Sequence, residues 1–235
     1  MSWEFAERRP ELLIAMPCPK PGVVSFAWAL AMRQLEVPDP TFWFSTNIPR
    51  IDLAREQCVE AMLRHQCNYI MFIDTDVIPI VPLANKGWTV DKTAVMRLLK
   101  TAKDHNLAVL SGLYFEKEKD AERHPAAWVW VEGRGLQHMA ERGGLVQVDA
   151  IGLGFALIHR SVFERMSRPW FRYKESPHPW DKYSDEPGQG VGEDFYFCYK
   201  LITELNIRPI VDCSVKCLHI GWGSGREEGV TVGDI

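Results

Sequence analysis

Tyr69-Ile-Met-Phe-Ile-Asp-Thr-Asp-Val77 joins an apolar run to two aspartates that are separated by one residue. A short apolar run rich in branched and aromatic side chains predicts a strand buried in a sheet. Because side chains alternate along an extended chain, the carboxylates of Asp74 and Asp76 should point the same way. Two such carboxylates repel each other, and a divalent cation such as Mg²⁺ or Mn²⁺ relieves the repulsion. The alternative is a solvated turn or a helix cap.

Strands and helices alternate on both sides of this stretch. Apolar runs predict strands and helical periodicities predict helices in the order 11–16 (strand), 23–36 (helix), 41–45 (strand), a helix after Pro49, 69–73 (strand), 91–105 (helix, with Asp91 as N-cap) and 107–113 (strand). Four strands alternating with three helices predict a mostly parallel sheet with helices on both faces. In such a sheet the functional residues follow the carboxyl ends of the strands.

The second half of the chain has a different pattern. Segments 127–131 and 145–148 are rich in strand formers and separated by glycines, which predicts a small antiparallel element. Further strands are predicted at 151–159, 208–212 and 215–220, and helices at 161–166 and 193–205. No repeat or linker divides the sequence, so we expect one domain over residues 1–235.

Composition excludes several classes of protein. The chain has 235 residues, of which 46% are hydrophobic, and a net charge of −4. It can therefore bury a core, and its slight acidic excess gives no electrostatic reason to bind nucleic acid. The apolar run 23–32 is too short to span a membrane, and the N-terminus lacks a signal-peptide profile. The six scattered cysteines predict reduced thiols, and we expect a cytoplasmic protein.

Two further carboxylates open a predicted helix at Gly192-Glu193-Asp194. A carboxylate in the first turn faces the positive end of the helix dipole, which keeps it ionised and lets it act as a base. Ordinary charge complementarity at a helix start explains the same pattern. The glycine before the pair permits close approach of a ligand.

A late histidine completes the set of candidate residues. His219 lies on one face of a predicted strand with Cys213 and Cys217, just before a glycine-rich turn. Imidazole is an acceptable ligand for Mn²⁺. A structural histidine is one alternative. A zinc site with the two cysteines is another, although a fourth ligand and the usual paired spacing are absent.

These segments, in this order, resemble the GT-A glycosyltransferases, in particular the family 2-like members that use nucleotide-diphosphate sugars. The resemblance spans about residues 10 to 222 and rests on segments 53–55, 69–77, 109–114, 148–160, 192–195 and 217–219. It implies a GT-A-type, Rossmann-like mixed but mostly parallel sheet flanked by helices. It also implies a nucleotide-binding half over about residues 10–113 and an acceptor-binding half over about 114–222.

The resemblance implies roles for the acidic residues and the histidine. Asp76 would hold the Mn²⁺ or Mg²⁺ ion that bridges the diphosphate, and Asp74 would contact the ribose or join the metal shell. His219 would complete the metal site. Asp194, with Glu193 beside it, would deprotonate the acceptor if the reaction inverts the anomeric centre.

The resemblance also implies a nucleotide site. Arg55 and Asn47 would contact the nucleotide of the donor. The loop 45–50 lacks the acidic residue that many relatives direct at the base, so the identity of the base stays open. The sequence has no Q-x-x-R-W segment, which argues against a processive membrane synthase.

The long aromatic segment 170–190 suits an acceptor. Aromatic faces of Trp170, Trp180 and Tyr183 could stack on sugar rings, while Asp181 accepts hydrogen bonds from hydroxyl groups. The acceptor could be a glycan, a protein, a small metabolite or a modified nucleobase. The alternative interpretation is a lid whose aromatic residues pack on the domain.

Two other functions compete with a glycosyltransferase. Segment 73–77 also resembles the first motif of the haloacid-dehalogenase-like Mg-dependent phosphatases, in which the first aspartate is a nucleophile. That motif normally lies on the first strand, whereas here two strand–helix units precede it. The second competitor is a non-catalytic sugar-binding module of GT-A type.

Overall fold

A curled nine-stranded sheet forms the centre of the computed structural model, which describes residues 10–18, 24–84, 87–115, 124–140, 142–173, 180 and 192–220. The strands are β1 Leu12–Pro17, β2 Thr41–Thr46, β3 Tyr69–Ile73, β4 Val77–Pro82, β5 Trp88–Val90, β6 Val109–Leu113, β7 Ala127–Val131, β8 Gly135–His138, β9 Leu145–Gln147, β10 Ala150–Ile151, β11 Phe155–His159 and β12 Ile210–His219. The helices are α1 Phe26–Gln34, α2 Ile51–Arg64, α3 Ala94–Asp104, α4 Arg160–Arg165 and α5 Glu193–Leu205.

The central sheet is mixed, so the prediction of a mostly parallel sheet is wrong. Its order is β2-β1-β3-β11-β6-β12-β4-β5, with β9 beside β12. Strand β1 is parallel to β2 and β3, and β6 is parallel to β12. Strand β11 runs antiparallel between β3 and β6, and β4, β5 and β9 also have antiparallel neighbours. A parallel pairing requires a crossover connection, usually a helix. Antiparallel strands do not require one, so they can join the sheet through shorter connections.

A separate three-stranded antiparallel sheet has the order β10-β7-β8. It confirms the predicted antiparallel element, but with a different pairing. Strand β7 pairs with β8, which the sequence prediction missed, while β9 joins the central sheet beside β12. The predicted strands 208–212 and 215–220 are a single strand, β12, with an irregularity between Asp212 and Lys216.

Two helices, α1 and α4, begin at a residue whose side chain accepts an N–H of the first turn. Helix α1 is shorter than predicted, because the Ser25 hydroxyl accepts a hydrogen bond from the Trp28 N–H at 3.0 Å and fixes its start. Asp91 is not the N-cap predicted for α3: its side chain accepts a hydrogen bond from the Thr93 N–H at 3.1 Å, and Thr93 itself is the N-cap of the helix, which starts at Ala94. Helix α5 has the predicted bounds.

The pairing places one functional edge on the central sheet. Because β1, β2, β3, β6 and β12 point the same way, their carboxyl ends meet at one edge, and antiparallel β11 starts there. Strands β1, β3 and β11 are almost wholly buried, so this edge is rigidly held. No helix among the described residues is long and apolar enough to cross a membrane.

Candidate functional site

A cleft of about 550 Å³ lies at the carboxyl edge of the central sheet. Most of its lining residues lie near the end of a strand or the start of a helix, as expected for an open α/β sheet. The described lining residues are Ile51, Arg55, Asp74, Tyr114, Ala126, Trp128, Gly152, Leu153, Tyr173, Gly192, Glu193, Asp194, Phe195 and His219.

Arg55 is the centre of a buried charge network in this cleft. Its guanidinium donates to Glu193 Oε1 at 3.2 Å and to both oxygens of Asp74, at 3.1 and 3.2 Å. The side chain is only 3% exposed, and its charged group also lies 5.1 Å from the centre of the Phe72 ring. Burial disfavours the charged guanidinium, but Asp74 and Glu193 outweigh that effect and raise the pKa of Arg55. Arg55 is therefore a permanent cation that links α2, β3 and α5.

The carboxylate of Asp74 accepts hydrogen bonds from Arg55 through both oxygens, and its side chain is 29% exposed, so its part in a metal shell stays a prediction. Burial and the neighbouring charges of Asp76 and Glu193 raise the pKa of Asp74, while Arg55 opposes the rise. The turn around Asp74 is fixed by its N–H, which donates to the Gly154 carbonyl at 2.9 Å, and by Trp28 Nε1, which donates to the Asp74 carbonyl at 2.9 Å. Asp74 is thus an internal partner of Arg55.

Asp76 and His219 are brought together by the register of two strands. Strands β4 and β12 are antiparallel with Val77 opposite His219, so the residue before β4 lies beside the end of β12. His219 Nε2 is 3.5 Å from Asp76 Oδ1. His219 Nδ1 lies 3.1 Å from the Phe115 carbonyl, which can only accept a hydrogen bond, so Nδ1 carries the proton of the neutral ring. An Nδ1–H held by a backbone carbonyl is common in metal-binding histidines, and it leaves the lone pair of Nε2 available for a metal ion.

This pair alone does not make a complete metal centre. Among the described residues, no group of three or more histidine, cysteine, aspartate or glutamate side chains is arranged to hold a metal ion. Cys213, Cys217 and His219 therefore do not form a zinc-binding group among the described residues. Asp76 and His219 fit two positions in an ion's shell, and the oxygen atoms of a ligand or water would have to supply the rest.

Asp194 lies at the start of α5 with the properties of a general base. Its Oδ1 accepts a hydrogen bond from the Phe195 N–H at 2.8 Å, and the N-cap Gly192 leaves room for it, because a Cβ atom there would approach that oxygen to 2.8 Å. Burial and the neighbouring charge of Glu193 raise the pKa of Asp194 to about 7. Asp194 can therefore gain and lose a proton near neutral pH. Glu193 is 6% exposed, and its carboxylate accepts a hydrogen bond from Arg55.

Tyr114 is a site residue to which the sequence analysis assigned no role. Its hydroxyl oxygen accepts a hydrogen bond from the Gly154 N–H at 3.0 Å. Burial and the charge of Asp74 raise its pKa well above the usual value, so the hydroxyl keeps its proton. A Cβ atom on Gly152 would lie 2.1 Å from this hydroxyl oxygen, which explains the glycine before β11. In the sequence, the glycines on either side of Leu153 could have predicted that another group approaches the backbone closely at this point.

The aromatic residues of the cleft are not the ones predicted. Trp128 and Phe195 form one wall, with ring centres 4.6 Å apart. Trp170 is 3% exposed and its indole N–H donates to the Phe163 carbonyl at 3.1 Å, so it packs in the core and offers no face to an acceptor. Trp180 is 9% exposed and packs edge-on against Phe195 and Tyr199. The predicted acceptor residues Asp181 and Tyr183 lie outside the described residues.

A second cavity, of about 430 Å³, adjoins the same edge at the ends of β1 and β2. It is lined by Met16, Cys18, Val24, Trp28, Ser45, Thr46, Asn47 and Thr75. Thr46 is 4% exposed and its hydroxyl is buried without a hydrogen-bond partner among the described residues. A buried hydroxyl without a partner costs free energy, so a ligand that bonds it would be favoured. Asn47, predicted to contact the nucleotide, is exposed beside it.

Comparison with known proteins establishes a fold relationship. The fold resembles that of A197 from STIV, whose crystal structure superposes with a TM-score of 0.59 over 90% of this chain and 86% of A197, at 19% sequence identity. No protein-family model matches the chain, and no curated protein matches it either. At this level of identity the similarity shows a common fold alone.

The predicted membership of the family 2-like GT-A glycosyltransferases is therefore wrong. The structural match is to A197 from STIV, at 19% identity, and it supports a shared fold in place of membership of that family. The segments that suggested it are short and meet physical demands that other proteins share: aspartates at a sheet edge, a glycine for close approach, and a carboxylate at a helix start. The chain shares with A197 the fold that brings such residues together.

Proposed function

We propose that this protein is a metal-dependent glycosyltransferase that moves a sugar from a nucleoside-diphosphate sugar to an acceptor hydroxyl. The observation that carries the proposal is the convergence of three groups at one sheet edge: the Asp76–His219 pair, the titratable carboxylate of Asp194, and an aromatic wall. The carboxyl ends of the strands in an open α/β sheet are where ligands usually bind, which supports a site at this edge.

The charge balance of the site favours a cationic cofactor. Asp74, Glu193 and Asp194 surround the guanidinium of Arg55, which donates hydrogen bonds to Asp74 and Glu193. Asp76 Oδ1 adds a further carboxylate oxygen 3.5 Å from His219 Nε2. A diphosphate would add further negative charge. Mn²⁺ or Mg²⁺ held by Asp76 and His219 would offset that charge and stabilise the leaving diphosphate.

The proposed reaction assigns separate tasks to the other residues. The acceptor oxygen forms a bond to the anomeric carbon, the bond from that carbon to the diphosphate oxygen breaks, and Asp194 takes the acceptor proton. Phe195, which is half-buried beside Trp128 in the aromatic wall, offers an apolar face to a sugar ring. The Tyr114 hydroxyl, which accepts from the Gly154 N–H, retains its own proton to donate to a substrate oxygen.

The cavity at Thr46 suits the nucleoside of the donor. The Trp28 indole lines this cavity and donates to the Asp74 carbonyl, so the cavity lies next to the turn between β3 and β4. Its hydroxyl and amide groups, from Ser45, Thr46 and Asn47, can donate and accept hydrogen bonds with a base or a ribose. No carboxylate is among its described lining residues, so these groups would have to select the base.

Replacing Thr46 with Val is expected to have opposite effects on stability and on ligand binding. The change removes a buried hydroxyl that has no partner, so the free energy of unfolding should rise by about 1 kcal/mol. Affinity for the donor nucleotide should fall about three- to tenfold, because the ligand loses that bond. Thermal unfolding and calorimetry measure the two effects. The exposed Thr89→Val is the control, and an unchanged affinity in the Thr46 variant would contradict the nucleoside site.

The phosphatase alternative fits this geometry less well. Its nucleophile would be Asp74, whose two oxygens both accept hydrogen bonds from Arg55. A carboxylate held in that way is a weakened nucleophile. The residue also follows the third strand of the chain instead of the first.

A screen with and without Mn²⁺ tests the proposed function. Nucleoside diphosphates and nucleotide sugars are added to the protein, and Tm is measured, because a bound ligand raises it. The best donor is then incubated with simple acceptor sugars and released nucleoside diphosphate is measured. We expect a Tm rise that requires Mn²⁺, and turnover. Binding without turnover would favour a sugar-binding module, and phosphate release without a nucleotide sugar would favour the phosphatase.

Replacing His219 with Gln tests the metal pair. We expect Mn²⁺ affinity, measured by electron paramagnetic resonance in the presence of a nucleoside diphosphate, to fall at least about tenfold. The loss follows because the amide is a poorer ligand than the imidazole, whose tautomer the Phe115 carbonyl fixes. The exposed His105→Gln is the control. Equal Mn²⁺ affinity in the His219 variant and in the wild-type protein would remove this residue from the metal site.

A further inference from the structure

A third cavity, of about 460 Å³, lies at the opposite edge of the central sheet from the cleft. Strands β3, β6 and β12 begin there, and antiparallel β11 ends there. The described lining residues are Tyr69, Asn106, Leu107, Ala108, Val109, Gln147, His159, Ser161, Arg165, Ile207, Arg208 and Ile210. Its volume lies in the range of small-molecule sites.

The charge of this cavity is opposite to that of the chain. The chain has a net charge of −4, yet the charged side chains among the described lining residues are those of Arg165 and Arg208. Arg165 is exposed and forms no ion pair with a described residue. Arg208 pairs with Asp149 through one nitrogen of its guanidinium, which leaves other N–H groups available. The described lining of the cavity therefore offers guanidinium donors and contains no carboxylate, although Arg208 has Asp149 as a partner behind it.

His159 adds a neutral donor to the same cavity. Its Nδ1 accepts a hydrogen bond from the Ser161 N–H at 3.2 Å, and a backbone N–H can only donate. The neutral ring must therefore carry its proton on Nε2, which has no partner among the described residues. Burial lowers the pKa of His159, which favours this neutral form, and Tyr69 packs edge-on at 4.9 Å to hold the ring.

We infer that this cavity binds the phosphate group of a small molecule, either free phosphate or a phosphomonoester. Donors come from three separate elements: Arg165 on α4, Arg208 before β12, and His159 at the end of β11. A phosphate has at least three oxygens that such a set can bond at once, whereas a carboxylate has two. The cavity is far larger than one phosphate, so the rest of an ester has room beside it.

Calorimetry on the full chain in EDTA tests this site without involving the metal-dependent cleft. The probes are inorganic phosphate and glycerol 3-phosphate. The variants are Arg165→Ala, which removes a donor, and Gln147→Glu, which adds a carboxylate to the lining without shortening a side chain. Gln137→Glu makes the same change at an exposed position on β8 and is the matched control.

We expect one equivalent of a probe to bind, with affinity about tenfold weaker in Arg165→Ala and weaker also in Gln147→Glu, but unchanged in Gln137→Glu. Tighter binding of glycerol 3-phosphate would identify a phosphomonoester as the ligand, and tighter binding of inorganic phosphate the free anion. The inference is overturned if neither probe binds, or if both cavity variants bind as the wild-type protein does.

Discussion

Replacing Asp194 with Asn is expected to reduce glycosyl transfer about a hundredfold or more while donor affinity changes little. A positioned base contributes at least that factor, and an amide cannot take a proton. The donor is expected to bind through Mn²⁺ and the Thr46 cavity, which this change leaves intact. Steady-state kinetics measures the loss in kcat, and calorimetry with Mn²⁺ measures donor affinity.

The pH dependence of the wild-type protein follows from the same residue. Burial and Glu193 raise the pKa of Asp194 to about 7, and a base works only when it is deprotonated. Activity should therefore rise as pH increases through about 7 and disappear below it. The residual activity of Asp194→Asn should lack this step. A wild-type profile that is flat between pH 6 and 8 would contradict the role of Asp194.

Ionisation of Asp194 should lower the free energy of unfolding, whereas it raises activity. The pKa of Asp194 is higher in the folded state than in the unfolded state, so protonated Asp194 favours the folded state. Its contribution to the free energy of unfolding is complete below about pH 4 and is lost as pH rises through about 7. At pH 8 Asp194→Asn should therefore be more stable than the wild-type protein, by about 1 to 2 kcal/mol. Asp104→Asn, at an exposed aspartate, is the control and should not gain stability.

Local patterns predicted the elements of the fold better than they predicted strand direction. The apolar run before Asp74 and the helix that starts at Glu193 are confirmed, because burial and first-turn chemistry are encoded within a few residues. The direction of β11 depends on which strands it joins, β3 and β6, and those are distant in the sequence. A strand that is buried on both faces is a continuous apolar run whether it is parallel or antiparallel to its neighbours, so its sequence does not predict its direction.

In the candidate site, too, the sequence predicted individual residues better than the contacts they make with distant parts of the chain. The resemblance implied that Asp76 and His219 belong to one site, and the register of β4 and β12 brings them together. The burial of Trp170 could not be read from its aromatic neighbours, because an aromatic residue suits a core and a ligand surface equally. Arg55 was predicted to contact the nucleotide, but its partners lie 19 and 138 residues away and hold it inside the protein.

Replacing Arg55 with Met is expected to destabilise the protein by about 3 to 5 kcal/mol. Met preserves much of the side-chain volume, so the loss comes from leaving Asp74 and Glu193 without their buried cation. For a chain of this size the Tm should fall by roughly 10 °C or more. Thermal and urea unfolding measure the change. Arg64→Met lies on the exposed face of the same helix, α2, and is the matched control.

A double variant separates lost charge pairing from lost packing. Adding Glu193→Gln to Arg55→Met removes one uncompensated charge, so the double variant should recover about 1 to 2 kcal/mol. Alone, Glu193→Gln should destabilise, because Arg55 then loses the charged partner that lies 3.2 Å away. The two changes must therefore be non-additive if the network is held by charge. Strict additivity, or an Arg55→Met variant with an unchanged Tm, would mean that Arg55 contributes packing alone, and that the carboxylates of the cleft are positioned by something other than its guanidinium.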